Sequence, residues 1–118
     1  MRTTLYVLLL IILCFSCQKE KQMAEKITVT GTVIDVSGKK LDDVGILLYR
    51  STIMVMPETD GHREYSDNGI FKFEFKPTNE LYNYTLRFEK EGYITKDNPV
   101  DKYKTKQSFT VTMERQTE

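Results

Sequence analysis

Hydrophobic and polar residues alternate with a period of two along much of the chain beyond residue 26. Phe71, Phe73 and Phe75 interleave with Lys72, Glu74 and Lys76, and Tyr84, Leu86 and Phe88 interleave with Thr85, Arg87 and Glu89. Phe109, Val111 and Met113 repeat the pattern against Thr110, Thr112 and Glu114. Upstream, Ile27, Val29 and Val33 share a face with Gly31, while Thr28, Thr30 and Thr32 take the other. Val44, Ile46 and Leu48 mark a further strand, with Leu47 and Tyr49 on its second face. Successive side chains of a strand point to opposite sides, so each segment predicts a strand with one face in a core. A slip of one residue would carry charges into that core, and this fixes the register.

Between these segments sit turn residues. Ser37-Gly38-Lys39-Lys40, Asp67-Asn68-Gly69 and Lys90-Glu91-Gly92 supply the Gly and Asn that tolerate a positive φ. Residues 27–118 keep no sustained apolar period of 3.6, so a helix-rich architecture is not expected. Short strands spaced at about ten residues predict an all-β fold, an antiparallel Greek-key β-sandwich of about seven strands. Residues 51–66 read either as a strand pair or as a long excursion. Residues 95–106 (TKDNPVDKYKTK) are polar, and Pro99 there fits only an edge strand or a loop.

The first residues follow another rule. Arg2 precedes an unbroken apolar run from Leu5 to Phe15, and Gln18-Lys19-Glu20-Lys21 then turns abruptly polar. At about 1.5 Å per helical residue the run is too short for a hydrocarbon core of about 30 Å. A basic start and a short apolar run form the pattern of a secretory signal peptide. Leu13-Cys14-Phe15-Ser16-Cys17 resembles a bacterial lipobox, with small Ser16 directly before a Cys. That resemblance implies cleavage after residue 16 and lipid attached to Cys17, holding the protein to the outer membrane of a Gram-negative cell. Two or three acyl chains, at about 0.8 kcal/mol per buried CH₂, give a stable anchor where one would not. Gln18-Lys19-Glu20-Lys21 resembles the export signal of surface-displayed lipoproteins in some Gram-negative bacteria, which implies outward display; the other reading is a solvated tether. The expected organisation is a signal peptide over 1–16, a lipidated Cys and polar spacer over 17–26, and a β-sandwich domain over 27–118.

Cysteine usage agrees with export. Removing the first 16 of 118 residues leaves 102 with Cys17 as the one cysteine, so no disulfide can brace the domain. A bare thiol is a liability in an oxidising compartment, and a lipidated one is occupied. Seventeen basic and 17 acidic residues balance, which excludes the strong positive field of a nucleic-acid binder. An apolar fraction of 40% with 29% charged residues fits a packed core and a wet surface.

The strand and turn residues together resemble the carboxypeptidase-regulatory-like, or transthyretin-like, β-sandwich family. The residues that carry this are Val29-Thr30-Gly31-Thr32-Val33-Ile34-Asp35, Gly38, Leu41 and Val44, then Ser66-Asp67-Asn68-Gly69-Ile70-Phe71-Lys72-Phe73, then Tyr84 to Phe88 with Glu91-Gly92-Tyr93. Lys40 and Asp43 depart from the Pro and Gly common at those places. Such a motif specifies a fold better than an activity.

Three activities on related scaffolds can be weighed. A hydroxyisourate hydrolase needs several His and Arg residues and a terminal Tyr-Arg-Gly-Ser; this chain has only His62 and closes Glu114-Arg115-Gln116-Thr117-Glu118. A Lys–Asn isopeptide bond, as in collagen-adhesin B-type domains, needs a Lys on the first strand, and Ile27–Val36 has none. Asp42, Asp43, Asp60 and Asp67 could converge on a Ca²⁺ ion, but acidic turn residues more often cap or close Asx-turns. No cofactor is therefore expected and no catalytic residue is assigned. Among the tyrosines, Tyr65, Tyr82 and Tyr103 are the candidates for exposed, ligand-binding rings, the competing role being core and edge packing. The leading expectation is a non-enzymatic, outer-membrane-anchored module. It would bind or scaffold an envelope protein or glycan, beside a surface uptake or adhesion complex. The alternatives are a small envelope enzyme or enzyme inhibitor, and a subunit of a fimbria-like fibre.

Overall fold

The computed structural model describes residues 22–117. The expected signal peptide with Cys14, the lipidation candidate Cys17 and the first part of the expected spacer lie outside the described residues.

Seven strands form in the described chain: β1 (Ile27–Asp35), β2 (Gly45–Ser51), β3 (Arg63–Tyr65), β4 (Ile70–Phe75), β5 (Asn83–Glu89), β6 (Lys96–Val100) and β7 (Lys106–Met113). They make a three-stranded sheet in the order β4-β1-β7 and a four-stranded sheet in the order β3-β2-β5-β6. The sandwich expected from the period of two is the fold observed. Ile27, Val29, Val33, Phe71, Phe73, Val111 and Met113 from the first sheet meet Ile46, Tyr84, Leu86, Phe88 and Val100 from the second in one buried cluster. Phe71 and Phe88 pack edge to face across it with centroids 5.1 Å apart. Burial of an aliphatic or aromatic side chain contributes about 1.5–3 kcal/mol, and with no disulfide among the described residues this cluster holds the sheets together.

One ladder departs from the antiparallel expectation. β1 and β4 are antiparallel, with Ile27 opposite Phe75, but β1 and β7 run parallel from Thr28 opposite Lys106 to Asp35 opposite Met113. Gly31 sits at the centre of this sheet because a Cβ there would lie 1.9 Å from the Phe109 carbonyl oxygen. The two weakly patterned stretches also resolve. Residues 51–66 are neither a full strand pair nor a free excursion. Arg50 and Glu58 exchange backbone hydrogen bonds of 2.8 and 2.9 Å, Thr52–Pro57 forms a tip beyond them, and the return leg ends in the short β3. Within 95–106, β6 is an edge strand that pairs with β5, and Pro99 stands opposite Thr85. An edge can lack a ladder donor, which is why Pro is tolerated there.

This topology gives the molecule two unlike ends. The start of β1, the ends of β2, β4 and β6 and the starts of β5 and β7 gather at one, here called proximal. The chain arrives there, and Ala24 donates to the Lys102 carbonyl at 3.0 Å and packs against the core. Loops 36–44, 66–69 and 90–95 and the residues after β7 gather at the distal end.

Candidate functional site

At the distal end the loops enclose an open groove of about 490 Å³. Ile94 donates to the Glu114 carbonyl at 2.8 Å and Gln116 to the Gly92 carbonyl at 2.9 Å, so the segment after β7 is stitched beside Gly92–Ile94 and brings Gln116 to the groove. Tyr65, at the end of β3 and 59% exposed, forms one wall. Tyr93 forms another, with the Arg115 guanidinium 5.7 Å from its ring centroid. Charges line the rest. Arg63 Nη2 lies 3.5 Å from Glu89 Oε2, and Lys90 Nζ donates to the Asp42 carbonyl at 2.7 Å. Gly45 lies beneath them, and a Cβ there would come within 2.8 Å of Arg63 Nη1, so a larger residue would displace the arginine head.

The groove grades into the outer face of the four-stranded sheet. Arg87 donates through Nε to Asp97 Oδ1 at 2.8 Å and through Nη2 to Oδ2 at 3.1 Å. This paired fork holds the guanidinium proton more tightly than in free arginine, and the Tyr49 ring lies 4.3 Å from the guanidinium carbon. Leu47 is buried on this same face, flanked in register by Arg63 and Arg87, whose aliphatic stems are suited to cover it. The sheet thus presents a plate of fixed, opposed charges beside two tyrosine rings. Such a surface can take up polar and aromatic groups through stacking and hydrogen bonds. The lining residues supply no histidine, cysteine or serine for nucleophilic or proton-relay chemistry.

The three tyrosine candidates do not share a surface. Tyr65 alone lines the distal groove. Tyr82 is half-buried at the proximal end, edge-on to Tyr84 with centroids 6.3 Å apart and 5.7 Å from the Arg50 guanidinium. Tyr103 lies in the proximal loop after β6, with Lys102 Nζ 5.7 Å from its ring centroid. Tyr93, not among the candidates, is the second ring of the groove; its place in the Glu91-Gly92-Tyr93 turn was the one sequence signal that could have marked it. The four aspartates are also divided. Asp42 Oδ1 accepts from the Gly69 amide at 3.2 Å, Asp43 borders the groove, and Asp67 closes a tight turn with Ile70. Asp60 lies apart on the return leg to β3, accepting from the His62 amide at 2.9 Å. Among the described residues no three His, Cys, Asp or Glu side chains are grouped to hold a metal ion. His62 is an exposed side chain, 2.9 Å from Glu64 and edge-on to Phe73.

No protein-family model and no curated protein matches the chain. Solved structures do. The Bacillus anthracis TIE protein is similar at 18% identity over 76% of this chain, with a TM-score of 0.51. The C-terminal domain of the shaft pilin SpaA from Lactobacillus rhamnosus GG is similar at 13% identity over 79% of this chain, with a TM-score of 0.50, and is covered in full. The 3-chlorocatechol 1,2-dioxygenase of Rhodococcus opacus 1CP is similar at 11% identity over 81% of this chain, with a TM-score of 0.53. The chain spans 17% of the length of the TIE protein and 62% of that of the dioxygenase. At these identities the likeness is one of fold, and the fold is a β-sandwich used in pilin domains.

Proposed function

We propose that this chain is a non-enzymatic lipoprotein of the cell envelope, lipidated at Cys17 on the outer membrane, with a carboxypeptidase-regulatory-like, transthyretin-like sandwich that binds an envelope protein or a glycan. The observation that carries the reading is the polarity of the domain. The N-terminal tether leaves from one end, and the groove of Tyr65, Tyr93, Arg63 and Lys90 opens at the other. An anchor at the first end presents the second away from the bilayer, where an extended polar partner has access to it. The likeness to a shaft-pilin domain supports a cell-surface setting.

The likeness also favours a second reading, a subunit of a surface fibre. Fibre subunits need a contact from one copy to the next, and β7 offers an eight-residue edge beside β1. Sedimentation of the soluble domain over a range of concentrations separates the two: a ladder of polymers supports the fibre, and a single monomeric species ends it. The anchored reading is tested by feeding growing cells labelled palmitate. Label on this polypeptide, lost in Cys17→Ala, is the expected result. The groove is tested by capture from native envelope, where a stoichiometric partner that is retained by the parent and lost in Tyr65→Ala marks the site.

A further inference from the structure

The proximal end carries the least expected surface of the molecule. In the tip Thr52–Pro57, Ile53 is 99% exposed, Met54 92% and Met56 83%. Leu81, from the loop between β4 and β5, is 76% exposed at the same end. The tip is shaped by its own hydrogen bonds, since Thr52 Oγ1 accepts from the amides of Met54 and Val55 at 3.2 and 3.0 Å. Its apolar side chains are therefore held outward by a formed turn. Solvent-facing apolar groups gathered in this way lower their free energy only when another phase or partner covers them. Lys76 and Lys104 stand exposed on the adjoining loops and Lys106 at the start of β7, with Glu58, Glu80 and Asp101 among them, so the rim is mixed in charge.

What covers the tip is indicated by the chain that precedes it. The described residues begin at this same end, and the segment before them holds the apolar run Leu5–Phe15 and Cys17. We propose that Ile53, Met54, Met56 and Leu81 enter the interfacial layer of a lipid bilayer as a second membrane contact. Flexible Met and branched Ile suit a disordered acyl boundary, and lysine side chains around them can extend toward the headgroups. The proposal takes its orientation from the anchored reading above, and contact at two places fixes the domain upright with its distal groove facing away. Attachment at one point alone would leave that angle free.

Each core side chain described lies between Ala24 and Met113, so a fragment of residues 18–118 keeps the whole core while lacking leader and Cys17. The chain has no tryptophan, so Met54→Trp installs a single indole at the tip. With vesicles of phosphatidylethanolamine and phosphatidylglycerol, its emission is expected to shift to the blue and to be quenched by lipids brominated in their acyl chains. Tyr65→Trp, at the distal groove, is expected to show neither change. Adding Ile53→Ser and Met56→Ser to Met54→Trp is expected to weaken vesicle binding by at least about tenfold. An emission unchanged at millimolar lipid overturns the proposal, as does an equal response from Tyr65→Trp. A blue shift that follows protein concentration without lipid also overturns it and assigns the tip to a second copy of the chain. Palmitate labelling of the full chain reads Cys17 independently, so a failed anchor and a failed tip give different results.

Discussion

The distal loops and the proximal loop between β2 and β3 are finished by different means. The other proximal loops are tied as the distal ones are, with Tyr84 Oη accepting from the Thr78 amide at 2.9 Å and Gln107 Oε1 from the Asp101 amide at 3.0 Å. At the distal end, side chains serve the backbone. Asp35 accepts from the amides of Ser37 and Lys39, both at 2.9 Å, and buried Ser66 accepts from the Val44 amide at 3.0 Å while donating to the Leu41 carbonyl at 2.9 Å. At the proximal end the longest loop has no such tie to the body beyond the Arg50–Glu58 pair, and its apolar residues point away from the core. Rigid turns at one end and an outward apolar tip at the other separate two tasks. The first holds groove residues in fixed relation, and the second costs the fold little and leaves side chains free for contact elsewhere.

That contrast predicts a gradient of stability effects. The largest belongs to Ser66→Ala, which orphans a buried amide and a buried carbonyl at about 1–3 kcal/mol each. For a domain of this size about 1 kcal/mol corresponds to roughly 4–8 °C in melting temperature. A scanning-calorimetry shift of only a degree or two would show the distal loops to be less dependent on Ser66 than the geometry indicates. Next comes Gly69→Ala. Gly69 has a φ of 74°, and a Cβ would lie 2.6 Å from Lys40 Cβ. A left-handed alanine loses about 1–2 kcal/mol before that overlap is counted, and urea midpoints would read the loss. Asp35→Asn should be smaller and pH-dependent. Its carboxylate is held below the usual range by the Ser37 hydroxyl, then by the Lys39 amide, so the stability it adds is present above that range and drains as pH falls through it. The melting temperature of the variant should therefore vary less than the parent's between neutral pH and about pH 3. Smallest is Ile53→Ser with Met54→Ser, expected to stay within about 0.5 kcal/mol of the parent. A loss as large as that of Ser66→Ala would break the comparison by showing the tip to be part of the fold.

Strands whose two faces differ were legible from alternation, and β1, β2, β4, β5 and β7 fall where Ile27, Val44, Phe71, Tyr84 and Phe109 place them. β6 was hidden because among Lys96 to Val100 only Val100 is buried, leaving no alternation to read. β3 is three residues long, too short for a period. The parallel direction of β7 was also out of reach, because alternation is the same whichever way a strand runs. The groove depends on Arg63, Tyr65, Glu89 and Tyr93, which meet only through pairing of β3 and β5 with β2 and through the segment after β7. Tyr65 was marked only as one of three candidates for an exposed ring, and nothing local tied it to Tyr93.

The parallel run of β1 beside β7 has a mechanical consequence. A pull on the distal loops, resisted where Ile27 meets the tether, acts along both strands rather than across them. The eight paired positions from Thr28–Lys106 to Asp35–Met113 then bear the strain together in shear. An antiparallel hairpin pulled at its open end would instead peel one rung after another. A domain held by its N-terminal end and tugged from the other is, by this geometry, loaded in its strongest direction.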